Sequence, residues 1–204
     1  MIMRSIAAVS ILTVASVADA LPRQPSSVAG RAVEEVVMNS TYREQLLQLG
    51  EADQQIRAEI LKKYTPQQLQ SDPGAARALA LQIHASQQKN QQRLSELMAQ
   101  YGFPDDRTVG MDGAHAGFLV AQHVPDRTFR ESFLKGMEAA VQQGAYSKED
   151  WALFVDRNRI LTGQPQLYGT QHKADGSLFE IEHPEQLQER RAAVGLPPQA
   201  SISQ

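Results

Sequence analysis

The chain has 204 residues, a length that suits one domain. Its 20 Lys and Arg against 23 Asp and Glu leave a net charge of -3, which argues against a nucleic-acid partner, because such proteins usually carry a basic face. There is no Cys, so disulfides, thiolate catalysis and Cys-based metal sites are excluded.

Residues 1–20 read as a secretory signal peptide. Arg4 supplies the positive start, residues 6–17 the apolar run, and Ala18-Asp19-Ala20 a small-x-small cleavage site. The run is short for a membrane span, which needs about 20 residues; an uncleaved N-terminal anchor is the competing reading. The expected location is the periplasm or outside the cell. With no Cys after the cleavage site, a lipoprotein anchor is excluded, and no other segment is apolar enough to span a bilayer. Residues 21–30, rich in Pro and Ser, read as a linker, and 31–39 as a short lead-in helix.

Thr41-Tyr42-Arg43-Glu44 has the form of a capping box, which predicts a helix from about Tyr42. Tyr42, Leu46, Leu49, Asp53, Ile56 and Ile60 alternate steps of four and three and so share one face. Asp53 is the polar member. Lys62-Lys63 suit the negative end of this helix, and Pro66 stops it or opens a new turn. Asp72-Pro73 predicts the next start. Leu79, Ile83, Asn90, Leu94, Leu97 and Tyr101 then form a stripe that Asn90 interrupts, and Gly102 closes the helix.

Residues 105–110 read as a polar loop, and Asp112 as the cap of an Ala- and Gly-rich helix over 113–123 that lets neighbours come close. Asp126 predicts another cap, ahead of the stripe Phe129, Phe133, Met137 and Ala140. Ser147 predicts a last long helix. Trp151, Ala152, Leu153, Phe154, Val155, Ile160 and Leu161 surround it, which predicts a central position. Residues 166–171 and 177–182 then alternate, and Ala174-Asp175-Gly176 between them carries a hairpin turn signal. Residues 185–194 read as a short polar helix. The expected fold is mainly α: a compact bundle of about five or six helices with a small C-terminal β-hairpin, in a single domain over 41–198, with 199–204 a disordered tail.

Four polar groups are candidates for chemistry. Asp53 is a carboxylate on an apolar stripe, with Arg57 one turn on; it is a structural ion pair or part of a site. His123 stands at a predicted helix end beside Gln122 and three residues before Asp126, as a general base oriented by a carboxylate or as a capping residue. His115 lies about two turns upstream. Asp156-Arg157 lies in the helix predicted to be central, where Arg157 must meet an acid or a ligand; Asp53 and Asp156 are the internal acids within the pattern. Gln166, Tyr168, Thr170 and Gln171 supply amides and hydroxyls around Gly169; on a strand, Gln166, Tyr168 and Thr170 share a face. They form the wall of a ligand site or satisfy exposed helix ends. There is no phosphate-binding loop, dinucleotide fingerprint, Gly-x-Ser-x-Gly, His-Glu-x-x-His or Ca-loop pattern, so no cofactor and no metal is expected.

Taken in order, Asp53-Gln54 with Arg57, Tyr101-Gly102-Phe103-Pro104, Ala121-Gln122-His123 with Asp126, Asp156-Arg157, the run from Gly163 through Gln164, Pro165, Gln166, Leu167, Tyr168, Gly169 and Thr170 to Gln171, and Arg190-Arg191 before Val194-Gly195-Leu196 resemble an uncharacterised bacterial family, a domain of unknown function. The similarity covers 41–198. The chain departs from the pattern at Phe103, where Trp is expected, and by Val124-Pro125 inserted between His123 and Asp126. The resemblance supports the residue set and implies no activity.

Two functions follow as expectations. In one, Asp53, His123, Asp126, Asp156, Arg157, Gln166, Tyr168, Thr170 and Gln171 line a pocket for a small polar molecule or envelope fragment, with His123 and Asp53 as the pair suited to hydrolysis. In the other, the chain is a non-catalytic structural or interaction module of the cell envelope, and its buried polar groups fix helix packing.

Overall fold

The computed structural model describes residues 38–64, 66–173 and 175–199. The segments read from the sequence as a signal peptide and a linker, and most of the expected lead-in helix, fall outside them, as does the expected tail beyond 199. The described chain forms α1 (Ser40–Lys63), α2 (Pro66–Ser71), α3 (Pro73–Tyr101), α4 (Asp106–Ala121), α5 (Arg127–Gln142), α6 (Lys148–Leu161), a 3-10 turn (Pro184–Gln186) and α7 (Leu187–Ala193). None of these helices is long and apolar enough to cross a membrane.

The caps explain most of the starts. Asp72 accepts from the amides of Gly74 and Ala75, Asp126 from Phe129, and Ser147 from Asp150. Two starts differ from expectation. α1 is capped by Asn39, whose side chain accepts from the Tyr42 amide at 2.9 Å, so Thr41 lies inside the helix. The supposed loop at 105–110 is the first turn of α4: Asp105 caps it, and Gly110, at φ 72°, kinks it before Asp112.

α1 and α3 run antiparallel. Tyr42 stacks on Tyr101 at one end, and Asp53 meets Asn90 eleven residues further along α1 and eleven back along α3. α4 packs against α1, α3 and α6, and its Val109, Ala114, Phe118, Val120 and Ala121 are buried. The small residues allow this approach: a Cβ on Gly50 of α1 would lie 3.1 Å from that of Ala116. α4 is therefore the central helix. α6 is not, because Trp151, Leu153, Val155 and Ile160 are only half-buried and Leu161 is exposed. Phe118, Phe133 and Phe154 join α4, α5 and α6 in an aromatic core.

The C-terminal β-hairpin does not form: the described residues contain no β-strand. Two isolated bridges stand in its place, Gln166 with Ile181, parallel, and His172 with Leu178, antiparallel. The turn itself is present, since Lys173 N–H donates to Ser177 O and Gly176 N–H to Lys173 O. The ladder fails because its donors are taken. The amides of Leu167, Tyr168 and Thr170 all point at the Asp156 carboxylate, and Gly169 at φ 64° turns the chain between them. Without strand geometry, Gln166, Tyr168 and Thr170 share no face.

Candidate functional site

The sequence candidates separate into two clusters. The first lies where α1, α3 and the end of α4 meet. Asp53 is 3 % exposed, and both its oxygens are filled. Oδ1 accepts from Asn90 Nδ2 at 2.9 Å; Oδ2 accepts from His123 Nδ1 at 2.8 Å, Arg57 Nε at 3.0 Å and Gln54 Nε2 at 3.2 Å. Burial works to raise its pKa, but His123 and Arg57 outweigh burial and hold the carboxyl below its ordinary value. A charged carboxylate only accepts, so the His123 proton must sit on Nδ1. That leaves Nε2 as the unprotonated ring nitrogen. Burial, helped by the charges of Arg57 and Arg157, pushes the His123 pKa down to about 4 against the pull of Asp53. His123 is thus neutral near pH 7.

α4 ends at Ala121 and places Gln122 and His123 in the following turn. Arg157 approaches the same turn from α6 and donates Nε to Gln122 O at 2.7 Å. Arg130 of α5 donates Nη1 to the carbonyls of Val124 and Pro125 and Nε to Asn158 Oδ1. A crevice beside this cluster is lined by Asp53, Ile56, Arg57, Ile83, Ser86 and Gln87. A wider groove between α1 and α3, about 500 Å³, passes Asn90 on the way to Arg93, Lys89 and Gln48.

The second cluster belongs to the 166–171 segment. Asp156 is fully buried, and its carboxylate accepts from the amides of Leu167 at 2.6 Å, Tyr168 at 3.0 Å and Thr170 at 3.0 Å, and from Thr170 Oγ1 at 2.9 Å. The carbonyls of the same loop go to α7, with Arg190 Nε on Leu167 O at 2.8 Å and Arg191 Nη1 on Tyr168 O at 2.5 Å. Gln166, also fully buried, closes the loop: Oε1 accepts from the Gln171 amide, while Nε2 donates to Gln171 O and Phe179 O. Gln171 Nε2 donates to Thr170 Oγ1. The Tyr168 ring packs edge-on to Trp151, with Ala152 and Val194 beside it. This is a clasp that fastens α7 to α6, and its polar groups face one another.

Three expected pairings are therefore absent. Asp126 caps α5 and does not meet His123. Neither Asp53 nor Asp156 pairs with Arg157. The 166–171 segment bonds to Asp156 and not to Asp53. His115 pairs instead with Asp150 at 2.8 Å, which raises its pKa. Among the described residues, no group of three or more His, Asp and Glu is placed to hold a metal ion. The residue that sequence reasoning left out of the site is Asn90, although it was visible as the polar break in the α3 stripe.

The model of DUF6624, a family of unknown function, matches residues 40–203. The chain belongs to this family. No curated protein and no solved structure matched it. Family membership assigns no activity, so the functional reading of this DUF6624 chain rests on the two clusters described above.

Proposed function

We propose that this DUF6624 protein is exported and binds a small polar molecule, such as a fragment of the cell envelope, beside the Asp53–His123 pair, where His123 serves as a general base in hydrolysis. The observation that carries the reading is the orientation of the ring. Asp53 takes the Nδ1 proton at 2.8 Å, and Nε2 has no partner among the described residues. The His123 side chain keeps 7 % of its surface exposed. A neutral imidazole anchored on a carboxylate accepts a proton at its free nitrogen, and the carboxylate stabilises the imidazolium that results. Export rests on the character of residues 1–20.

The competing reading, a structural module, draws on Asp53 itself: four internal donors fill its carboxylate. A thermal-shift screen of envelope sugars and peptides against the wild type and His123→Asn separates the two. Asn keeps a donor near the Nδ1 position and removes Nε2. Stabilisation of the wild type alone supports the site; a screen in which nothing distinguishes the two proteins supports the module.

A further inference from the structure

Three guanidinium groups surround the turn that carries His123, and their charge is poorly balanced. They come from Arg57 of α1, Arg130 of α5 and Arg157 of α6. Arg57 and Arg157 both oppose protonation of His123, and Arg57 and Arg130 both oppose the charge of Arg157, whose pKa burial and this repulsion bring down to about 10. Asp53 offsets one charge. Asp126 lies on the exposed rim and acts on Arg130.

The three arginines are used differently. Arg130 is committed to the turn after α4, with Nε on Asn158 and Nη1 on two carbonyls. Arg157 gives that turn only Nε. Among the described residues it forms no ion pair, and its two Nη groups have no hydrogen-bond partner, on a side chain that is only half-buried. Arg57 likewise commits only Nε, to Asp53, and keeps 28 % of its side chain exposed. A capping role accounts for Arg130. It does not account for a half-buried Arg157 that leaves both Nη groups unbonded and pairs with no acid. A planar guanidinium edge with two parallel N–H groups matches a pair of oxygens on one anion.

We propose that the free Nη edges of Arg57 and Arg157 form an oxyanion subsite next to His123 Nε2, so that the ligand of this site carries a phosphate or carboxylate group. This deepens the reading under Proposed function and rests on it. An anion here completes the hydrogen bonding of Arg157 and brings the rest of its own molecule within reach of the His123 base.

The test is an NMR titration of the full chain, followed at the Arg157 Nε–H and the His123 ring, with inorganic phosphate, acetate and uncharged N-acetylglucosamine. Saturable shifts of both groups with phosphate or acetate are expected, and the tighter of the two identifies the anion. Arg157→Gln should weaken the binding by about tenfold or more, as for the loss of a bidentate charged pair, and Arg157→Lys by less. If Arg157→Gln does not fold, Arg57→Gln at its more open position should show the same direction of change. Shifts of His123 with N-acetylglucosamine but with neither anion overturn the oxyanion subsite and leave the binding site standing. No shift with any probe overturns both, and unchanged phosphate affinity in Arg157→Gln or Arg57→Gln overturns the subsite.

Discussion

Asn90 Nδ2 donates to Asp53 Oδ1 across 2.9 Å, and this bond joins the one polar break on the apolar face of α1 to the one on the apolar face of α3. Two residues that each weaken an apolar stripe thus satisfy each other where the helices cross. The bond also fixes register: a slide of either helix by one turn sets a buried carboxylate or a buried amide against a hydrocarbon surface, at a cost of several kcal/mol. His123 and Arg57 then attach the end of α4 and the solvent edge of α1 to the same carboxylate.

Asp53→Ala is predicted to destabilise the fold by about 3–5 kcal/mol, because it leaves Asn90, His123 and Arg57 without their common acceptor. Asn90→Ala alone should cost about 1–2 kcal/mol. Urea unfolding of both single variants and the double variant measures the coupling, which should reach at least about 1 kcal/mol. Additive effects would remove Asn90 from the account of the site.

Acid should act on His123. The ring faces Asp53 and Arg57 from α1 and Arg157 from α6. Its ordinary pKa is 6.5, and folding lowers it to about 4. Between these values the unfolded chain binds more protons than the folded one, so the contribution is fully present above pH 6.5 and is lost as the pH falls toward 4. Its full size is on the order of 3 kcal/mol. Asp53, with its pKa lowered, adds a further loss below its own unfolded value. Asp106 works the other way. Burial, with Asp105 and Asp150 near, raises its pKa to about 6, so its ionisation in the fold is unfavourable and it favours stability as the pH drops through 6. The comparison must therefore be between proteins: the stability of the wild type relative to His123→Asn, read from the urea midpoints, should fall as the pH drops from 6.5 toward 4, whatever the slope of either profile alone. Parallel profiles would show that the ring does not titrate as described.

Asp156→Ala should release the 166–171 segment without dismantling the bundle. Three amides and a hydroxyl lose their acceptor, and Arg190 and Arg191 then hold a loop with no inner anchor. The expected loss is about 3 kcal/mol or more. Hydrogen exchange gives the distinctive readout. The amides of Leu167, Tyr168 and Thr170 should lose protection together, while α3 and α4 keep theirs; uniform loss across the chain would mean that Asp156 supports the whole fold and not a local clasp.

The helices were legible in the sequence because their signals are local. Asp72, Asp126 and Ser147 cap where short-range rules place them, and the stripes through Leu79, Leu94 and Phe133 are buried. Asp53 and His123 were legible as anomalies, but their pairing was not, since they are 70 residues apart and only the packing of α1 on α4 brings them together. The expected hairpin is absent for the same reason. Alternation at 166–171 is a local pattern, and a carboxylate on another helix takes the amides that a strand needs. α6 looked central from composition alone, whereas α4, with its Gly and Ala, was the helix that neighbours could approach from several sides.

Gly136 tests that last point on α5. A Cβ built there lies 2.3 Å from Cδ2 and 2.5 Å from Cε2 of Phe103. The Phe103 ring has little room to retreat, because it packs against Phe133 at 5.0 Å and Tyr146 at 5.8 Å between centroids. In an open helix, Gly→Ala stabilises by about 1 kcal/mol. At position 136 the overlap should reverse the sign, and Gly136→Ala should lower stability by about 1–3 kcal/mol. Thermal unfolding measures the effect, and Phe103→Leu in the same chain should restore most of it by vacating the space. A stabilising Gly136→Ala would mean that α5 shifts away from Phe103 at little cost, and that the contact does not set the spacing between α5 and the turn after α3.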